Sequence, residues 1–399
     1  MIPRRRVPIA RTDFVEWFRS FVRRGASAAD DVSRFERAVA DYLGCEFARA
    51  TSSGRDAIEL ALDGVGAQPG DEVIVPAYTL GELLPLLQAR GLKLLAADIE
   101  ADTFNIDPRR VADRITPKTR AILATHLLGA PCDIEAICAL AREHDVAVIE
   151  DCAHGFGASV AGRKVGTFGD AAIFSLEVNK AVPTYGGGII VTGDPKIAES
   201  VSAALDARPR SERAARKKAF STWVEESLIR SPFYAILARI LFSEKFARTF
   251  ERFYRGSHDR LRTVKRAYTG FQARLGIARL GQLDDRNERL NRRWDELAGQ
   301  LPDGFTVQVR DRVGTPAFYN FVALSPIGPK ALRRRAMRLG LDVGIGSEVM
   351  DDCGRMLDAD DCPTATRVAE RAVLLPFYDG LSRRRFRRLV RTLEKLAAG

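Results

Sequence analysis

The feature that most constrains the fold is a series of short apolar runs in the first half of the chain. Several of these runs are continuously apolar, which is typical of strands covered on both faces. They comprise residues 72–77, 92–99, 120–127, 146–150, 171–176 and 188–192. Helix-like stretches such as 83–89 and 134–143 lie between some of them, and residues 27–62 are predicted to be helical. The alternation predicts an α/β fold with a mostly parallel central sheet.

The composition of the chain changes after residue 205. Residues 206–265 start with a strongly basic stretch and continue with one rich in Phe, Trp, Leu and Ile. We expect them to form a helical insertion in a large domain that spans 1–265. We expect residues 266–399 to form a smaller α+β domain. Its predicted elements are helices over 270–301, 329–339 and 383–398 and strands over 318–324 and 374–377.

Charge and cysteine content narrow the class of protein. The 399 residues carry a net charge of +10, which could attract a phosphorylated substrate, a membrane surface or nucleic acid, or could simply be a solvated surface. No nucleic-acid-binding motif accompanies the charge, so we expect no nucleic-acid partner. The six cysteines include no Cys-x-x-Cys pair. We therefore predict no metal site and a cytoplasmic protein with reduced thiols.

Three reactive side chains follow the ends of predicted strands, namely Asp151, Ser175 and Lys180. Because ligands collect at the carboxyl ends of parallel strands, we expect the three to lie close together. A carboxylate, a hydroxyl and an amine are the groups that pyridoxal phosphate needs: Lys180 for the Schiff base, Asp151 for the ring nitrogen and Ser175 for the phosphate. Taken singly, Asp151 could cap a helix and Lys180 could lie on the surface.

A second anion-binding pattern is Ser53-Gly54-Arg55, which opens a predicted helix. Backbone N–H groups at a helix start bind anions, and Arg55 could add a bidentate contact. The same pattern is also typical of an ordinary helix cap. Three glycines at 186–188 would allow close backbone approach before the strand at 188–192, or would form a plain turn.

Taken in order, these motifs resemble the DegT/StrS family of pyridoxal-phosphate sugar aminotransferases, which have the fold-type I architecture. The resemblance covers nearly the whole chain apart from about 206–265. Its segments are Ser53-Gly54-Arg55-Asp56-Ala57, Ile149-Glu150-Asp151-Cys152-Ala153-His154 and residues 70–79, 104–108, 126–129, 166–170, 175–180, 270–273 and 374–378.

The resemblance implies a role for each matched residue. Lys180 would be the Schiff-base lysine, Asp151 the partner of the pyridine nitrogen, and His154 a residue beside the cofactor. Ser175 and the backbone at Gly54-Arg55 would hold the phosphate.

The resemblance also implies the reaction and the assembly. The cofactor would alternate between pyridoxal 5'-phosphate and pyridoxamine 5'-phosphate. An amino group would pass from glutamate to the keto group of a nucleotide-linked sugar or a related ketone in a biosynthetic pathway. The enzyme would be a homodimer in which both subunits line each active site.

Three departures from the family pattern bear on the substrate. Leu80 stands where relatives usually place an aromatic residue against the cofactor ring. Residues 264–268 replace an element that in relatives contacts the phosphate of the neighbouring subunit. The apolar stretch 220–253 could cover a greasy substrate, pack as ordinary core, or make a peripheral membrane contact.

Two other functions stay open at this stage. One is a pyridoxal-phosphate-dependent sugar dehydratase, although dehydratases that resemble the family tend to replace the lysine with histidine. The other is a non-catalytic regulatory or binding member, which the changes at Leu80 and 264–268 motivate.

Overall fold

The computed structural model describes residues 1–22, 26–231, 234 and 265–397 of the chain. Of the apolar stretch 220–253, residues 220–231 and 234 are therefore described, and the remainder lies outside the described residues. The predicted insertion is accordingly observed only in part.

A seven-stranded sheet forms the centre of the first half of the chain. The strands of this half are β1 (Phe47–Thr51), β2 (Glu72–Pro76), β3 (Tyr78–Thr79), β4 (Lys93–Ala97), β5 (Thr119–Thr125), β6 (Ala147–Asp151), β7 (Ser159–Val160), β8 (Arg163–Lys164), β9 (Ala171–Ser175) and β10 (Gly188–Thr192). The sheet order is β1-β10-β9-β6-β5-β2-β4, with β4, β2, β5, β6 and β9 parallel and β10 and β1 antiparallel to their neighbours. The predicted α/β fold with a mostly parallel sheet is confirmed.

Helices cover both faces of this sheet. The helices of this half are α1 (Arg11–Arg19), α2 (Ala26–Leu43), α3 (Gly54–Gly64), α4 (Leu83–Gln88), α5 (Pro108–Ala112), α6 (Ile134–Glu143), α7 (Pro195–Asp206) and α8 (Glu212–Arg230), of which α2 to α7 pack on the sheet. Successive residues of one strand point to opposite faces: Ile74 packs with α2 and α6, whereas Val73 and Val75 pack with α3, α4 and α7. Burial on both faces explains why the runs are continuously apolar.

Two predicted helical stretches are wrong in part. Residues 27–62 contain the strand β1 between α2 and α3, because residues 47–51 pair with β10, which is far away along the chain. The predicted helix over 270–301 is two helices, α9 (Gly270–Leu280) and α10 (Leu283–Ala298), and Gly281 caps the first of them. Local sequence patterns do not register a distant pairing partner, and a glycine favours a helix end.

The last part of the chain forms a smaller antiparallel sheet with its own helices. Its elements after α10 are β11 (Thr306–Val307), β12 (Phe321–Leu324), α11 (Pro329–Arg338), β13 (Gly344–Ile345), β14 (Asp351–Asp352), α12 (Cys353–Met356), α13 (Pro363–Ala369), β15 (Ala372–Leu375) and α14 (Arg383–Ala397). The four-stranded sheet has the order β11-β12-β15-β13, and Trp294 of α10 stacks on Phe318 at 4.4 Å between ring centroids. The domain boundary at 265/266 stays a prediction.

One small ribbon joins the two parts of the molecule. Strand β14 pairs antiparallel with β3, so that Asp351 lies opposite Thr79. The N–H of Gly81 also donates a hydrogen bond to Oδ2 of Asp351 at 2.9 Å. The turn that carries Leu80 is therefore held by residues near the end of the chain.

Candidate active site

The predicted site residues all line one large open cavity at the carboxyl edge of the central sheet. Asp151 and Ser175 are the last residues of the neighbouring parallel strands β6 and β9. The cavity lining includes Ser53, Gly54, Arg55, Leu80, Asp151, His154, Ser175 and Lys180. The structure thus brings together every residue that the sequence singled out, while the role of each stays a prediction.

Lys180 lies in the loop after β9, where its side chain is half-buried. Its Nζ donates a hydrogen bond to Oη of Tyr319 at 3.2 Å. Burial lowers the pKa of Lys180 to about 8, against the opposing charges of Asp151 and Glu177. At pH 7 roughly a tenth of this side chain is therefore the uncharged, nucleophilic amine, a far larger fraction than for an ordinary lysine.

Asp151 is a buried acid, and few hydrogen bonds or charges offset the cost of burying its carboxylate. Its Oδ1 accepts one hydrogen bond, from the N–H of Ala153 at 2.9 Å. Burial raises the pKa of Asp151, and the Ala153 hydrogen bond and the charge of Lys180 offset this only in part. Because a buried carboxylate needs a cation or several donors, this arrangement fits a protonated ring nitrogen.

His154 presents a neutral imidazole to the cavity. Burial lowers its pKa well below the ordinary value, and the charge of Lys180 adds to the effect. Nδ1 accepts a hydrogen bond from the N–H of Leu128 at 3.2 Å, which places the ring proton on Nε2. The imidazole also lies edge-on to the ring of Tyr319, with centroids 5.4 Å apart.

The start of α3 meets Ser175 in a cramped cradle. Oγ of Ser53 accepts a hydrogen bond from the N–H of Asp56 at 3.1 Å and so caps the helix. A Cβ on Gly54 would lie 3.2 Å from Cβ of Ser175, so only glycine brings the helix start this close. Helix-start N–H groups beside a hydroxyl are suited to a phosphate. Nη1 of Arg55 pairs with Oε2 of Glu82 at 2.6 Å, so a phosphate contact by the Arg55 guanidinium stays a prediction.

The glycines at 186–188 bring a second backbone segment against this cradle. Gly186 and Gly187 both have φ of +107°, a region that favours glycine. Gly187 also forms an isolated bridge to Ser53. Close backbone approach is thus the observed use of these glycines.

Replacing Gly188 with Ala should distort the cradle, because the new Cβ would lie 2.6 Å from the carbonyl of Ser53. We expect strain of roughly 1–3 kcal/mol, a lower melting temperature and weaker retention of a phosphorylated cofactor. Differential scanning fluorimetry and cofactor titration would measure both effects. Gly193→Ala is the matched control, since nothing lies within 4 Å of its Cβ position. Equal behaviour of the two variants would contradict the expectation.

Sequence reasoning missed two residues of this cavity, Tyr319 and Arg286. The predicted strand over 318–324 includes Tyr319, but the observed strand β12 begins at Phe321, so Tyr319 lies before it. Arg286 was one of many basic residues in a helical stretch. The sequence around each residue does not indicate a place in the site, because tertiary packing alone brings both to the cavity.

Removing the hydroxyl in Tyr319→Phe should slow the reaction modestly. A single hydrogen bond contributes about 0.5–1.5 kcal/mol, so we expect kcat to fall roughly 2- to 10-fold with little change in melting temperature. Tyr42→Phe is the control. The Tyr42 hydroxyl lies 2.5 Å from Oδ1 of Asp284, and neither residue lines the cavity. An unchanged kcat in Tyr319→Phe would show that this contact does not assist Lys180.

The buried pair of His126 and Glu150 shapes the end of β6. The carboxylate of Glu150 accepts hydrogen bonds from the N–H groups of Gly166, Phe168 and Gly169 at 2.6–2.8 Å and lies 3.0 Å from Nε2 of His126. His126, Glu150 and Cys152 are close enough to hold a metal ion. With both Glu150 oxygens already engaged, the pair instead fixes the backbone that carries Asp151.

A protein-family model matches most of the chain. The family model described as the DegT/DnrJ/EryC1/StrS aminotransferase family matches residues 19–394. The chain belongs to this family.

Individual relatives support this assignment over part of the chain. GDP-perosamine synthase of Caulobacter vibrioides is 41% identical over 167 residues, which are 42% of this chain and 45% of that protein. The pleiotropic regulatory protein of Geobacillus stearothermophilus is 41% identical over 171 residues, 43% of this chain and 46% of that protein. The chain thus matches less than half the length of these relatives.

Solved structures of the family extend the likeness to the whole fold. An aminotransferase from Psychrobacter cryohalolentis superposes with a TM-score of 0.77 at 21% identity, covering 99% of this chain and 98% of that one. DesV of S. venezuelae gives a TM-score of 0.74 at 25% identity and covers 99% of each chain. The predicted fold-type I aminotransferase architecture is confirmed.

Family membership implies pyridoxal phosphate as the cofactor, and the cavity fits it. The fit rests on the weakly compensated Asp151, the half-buried amine of Lys180 and the cradle between Gly54 and Ser175. In the described part of the chain, no helix has the length and apolar character needed to cross a membrane.

Proposed function

We propose that the protein is a pyridoxal-phosphate-dependent aminotransferase that moves an amino group from an α-amino acid, glutamate in the first instance, to the keto group of a nucleotide-linked sugar or a related ketone. The observation that carries the proposal is the half-buried amine of Lys180, with a pKa of about 8, in the same cavity as the buried acid Asp151. The names of the relatives, which include GDP-perosamine synthase and dTDP-3-amino-3,4,6-trideoxy-alpha-D-glucose transaminase, support the substrate class.

The surroundings of each cavity residue indicate its role in the proposed reaction. When bound, pyridoxal phosphate withdraws electrons from the carbon that carries the amino group. Asp151 would hold the ring nitrogen protonated, and the start of α3 with Ser175 would anchor the phosphate. Lys180 would carry protons at Nζ to and from the reacting carbon, with Tyr319 fixing the direction of Nζ at 3.2 Å. His154, held neutral, would pack beside the ring without adding a competing positive charge.

The test is a coupled measurement of colour and product mass. The purified protein with added pyridoxal phosphate should absorb at about 330–430 nm, and glutamate should shift this band. Addition of a nucleotide-linked keto sugar should then give a product in which an amine replaces the keto oxygen. Loss of a hydroxyl without gain of nitrogen would indicate the dehydratase instead. Absence of any cofactor band would favour a binding or regulatory role.

We also propose that the protein works as a cytoplasmic homodimer, in which residues near Lys265 and Arg266 at the cavity rim complete the neighbouring site. Both residues line the cavity, and Nζ of Lys265 pairs with Glu59 at 3.1 Å within the same chain. Light scattering coupled to gel filtration should give about twice the 44.0 kDa chain mass. A monomer with full activity would overturn the shared-site proposal.

A peripheral membrane contact through 220–253 is a further part of the proposal. In the described portion, Phe220, Val224 and Leu228 lie at successive turns of α8 with 57%, 47% and 51% exposure. Such a face on a protein of net charge +10 suits an anionic lipid surface. Replacing the three with Ser should reduce sedimentation with phosphatidylserine vesicles by several-fold. Equal sedimentation of variant and unmodified protein would remove this contact from the proposal.

A further inference from the structure

Arg286, near the start of α10, lines the active-site cavity and has no ion-pair partner among the described residues. Its Nη1 is buried and has no hydrogen-bond partner, and its guanidinium forms no ion pair with any residue in the described part of the chain. Burial lowers its pKa, and the charge of Asp379 does not restore it. Arg286 as a whole is only partly buried, but a buried, unpaired Nη1 is costly, so a ligand anion that reaches this nitrogen would stabilise the guanidinium.

The neighbouring charges do not serve as partners because they are already engaged. Asp379 pairs with Arg289 at 3.1 Å. Arg279, the other guanidinium near Arg286, pairs with Asp13 at 2.7 Å. Arg286 is therefore the cation of this group that is left for a ligand.

The position of Arg286 limits which anion it can bind. The guanidinium lies close enough to Tyr319 that the charge of Arg286 affects the pKa of the Tyr319 hydroxyl. That hydroxyl is the group that contacts Nζ of Lys180. Arg286 is thus one side chain away from the reacting amine.

Two kinds of anion enter such a cavity in the proposed reaction. In an α-amino acid, the α-carboxylate is one bond from the carbon that exchanges its amino group. In a nucleotide-linked sugar, the phosphates are several bonds from the keto carbon. The guanidinium of Arg286, one side chain away from Lys180, is therefore placed to bind the α-carboxylate. A planar guanidinium also suits a bidentate contact with a carboxylate.

We propose that Arg286 binds the α-carboxylate of the amino donor and so selects α-amino acids over simple amines. This inference rests on the proposed aminotransferase function. It adds the residue that recognises the donor, and it places donor recognition on a helix of the later part of the chain.

The test compares three donors with four proteins. The donors are glutamate, alanine, which keeps only the α-carboxylate, and 4-aminobutyrate, which is glutamate without the α-carboxylate. The proteins are the unmodified enzyme, Arg286→Gln, Arg286→Lys and the control Arg292→Gln. Arg292 lies on the same helix, pairs with Glu288 at 2.6 Å and is 67% exposed. The rate of the donor half-reaction is read from the cofactor absorbance in single-turnover experiments.

In Arg286→Gln, kcat/KM for glutamate and alanine should fall about a hundredfold, as expected for loss of one partner of a buried charge pair. The rate with 4-aminobutyrate should hardly change, so the preference for α-amino acids disappears. Arg286→Lys should recover part of the loss, and Arg292→Gln should match the unmodified enzyme. A second measurement, which needs no turnover, is the affinity for glutarate by calorimetry. This affinity should fall by a similar factor in Arg286→Gln.

The outcomes separate this inference from the function on which it rests. If the unmodified enzyme reacts with no amino acid, the proposed function fails and Arg286 has no such role. If the unmodified enzyme reacts but Arg286→Gln slows glutamate and 4-aminobutyrate equally, or only the acceptor half-reaction, the donor assignment is overturned. If alanine is unaffected while glutamate slows, Arg286 binds the side-chain carboxylate and the α-carboxylate assignment is wrong.

Discussion

Lys180→Ala should lower the rate of amino transfer by at least about 10⁴-fold, the upper range for removal of a group that transfers protons in the transition state. The loss should be this large because Lys180 would supply both the amine that reacts with pyridoxal phosphate and the carrier of the proton. The measurement is product formation from glutamate and a keto sugar, read alongside the visible spectrum.

A matched control keeps this result interpretable. Lys196 is exposed at the start of α7, so Lys196→Ala removes an amine without touching the cavity. It should retain full activity and colour. Turnover and a visible band that both persist in Lys180→Ala would refute the assignment of the lysine.

The same residue gives a pH dependence with a defined sign. Because burial lowers the pKa of Lys180 to about 8, the neutral amine becomes more abundant as pH rises through this value. The rate at which Lys180 in the cofactor-free protein reacts with pyridoxal phosphate should therefore increase with pH and reach half its maximum near pH 8. A midpoint near the ordinary lysine value would show that the amine is solvated in solution.

Asp151→Asn is the second substitution with a large expected effect. It removes the negative charge at the end of β6, so the ring nitrogen would lose the partner that keeps it protonated. We expect kcat to fall roughly 10²- to 10³-fold, as for other preorganised charges at an active site. The fold should survive, because the amide can still accept the 2.9 Å hydrogen bond from Ala153. Steady-state kinetics and the melting temperature test the two halves of this expectation.

Asp145→Asn provides the control for charge removal. Asp145 is exposed in the turn before β6 and has φ of +54°, a conformation that Asn also tolerates. Its substitution should change neither rate nor melting temperature. Comparable losses in both variants would mean that overall charge, rather than the position of Asp151, controls the rate.

Much of the fold could be predicted because the central strands carry their own signal. Apolar runs such as 188–192 coincide with observed strands, since burial on both faces leaves few polar positions. The strand β1 could not be predicted in the same way. Phe47–Thr51 alternates between buried and partly exposed residues and becomes a strand only because β10 lies beside it.

The candidate site shows the same division. Asp151, Ser175 and Lys180 follow strand ends, so the sheet itself brings them together. Tyr319 and Arg286 approach the same cavity from the later part of the chain through tertiary packing, which a pattern in one sequence does not encode. The sequence therefore predicted the residues that we propose face the cofactor, but neither Tyr319, which contacts Lys180, nor Arg286, which we propose binds the donor.

The ribbon between β3 and β14 has a consequence for how the protein is made. The hydrogen bond from Gly81 to Asp351 joins residues 270 positions apart. On the ribosome, the central sheet can form long before the second partner of this ribbon leaves the exit tunnel. We expect a nascent chain halted before β14 to hold the sheet while the turn at Leu80 lacks its anchor. We therefore expect the cavity wall at Leu80 to be completed only after the central sheet has formed.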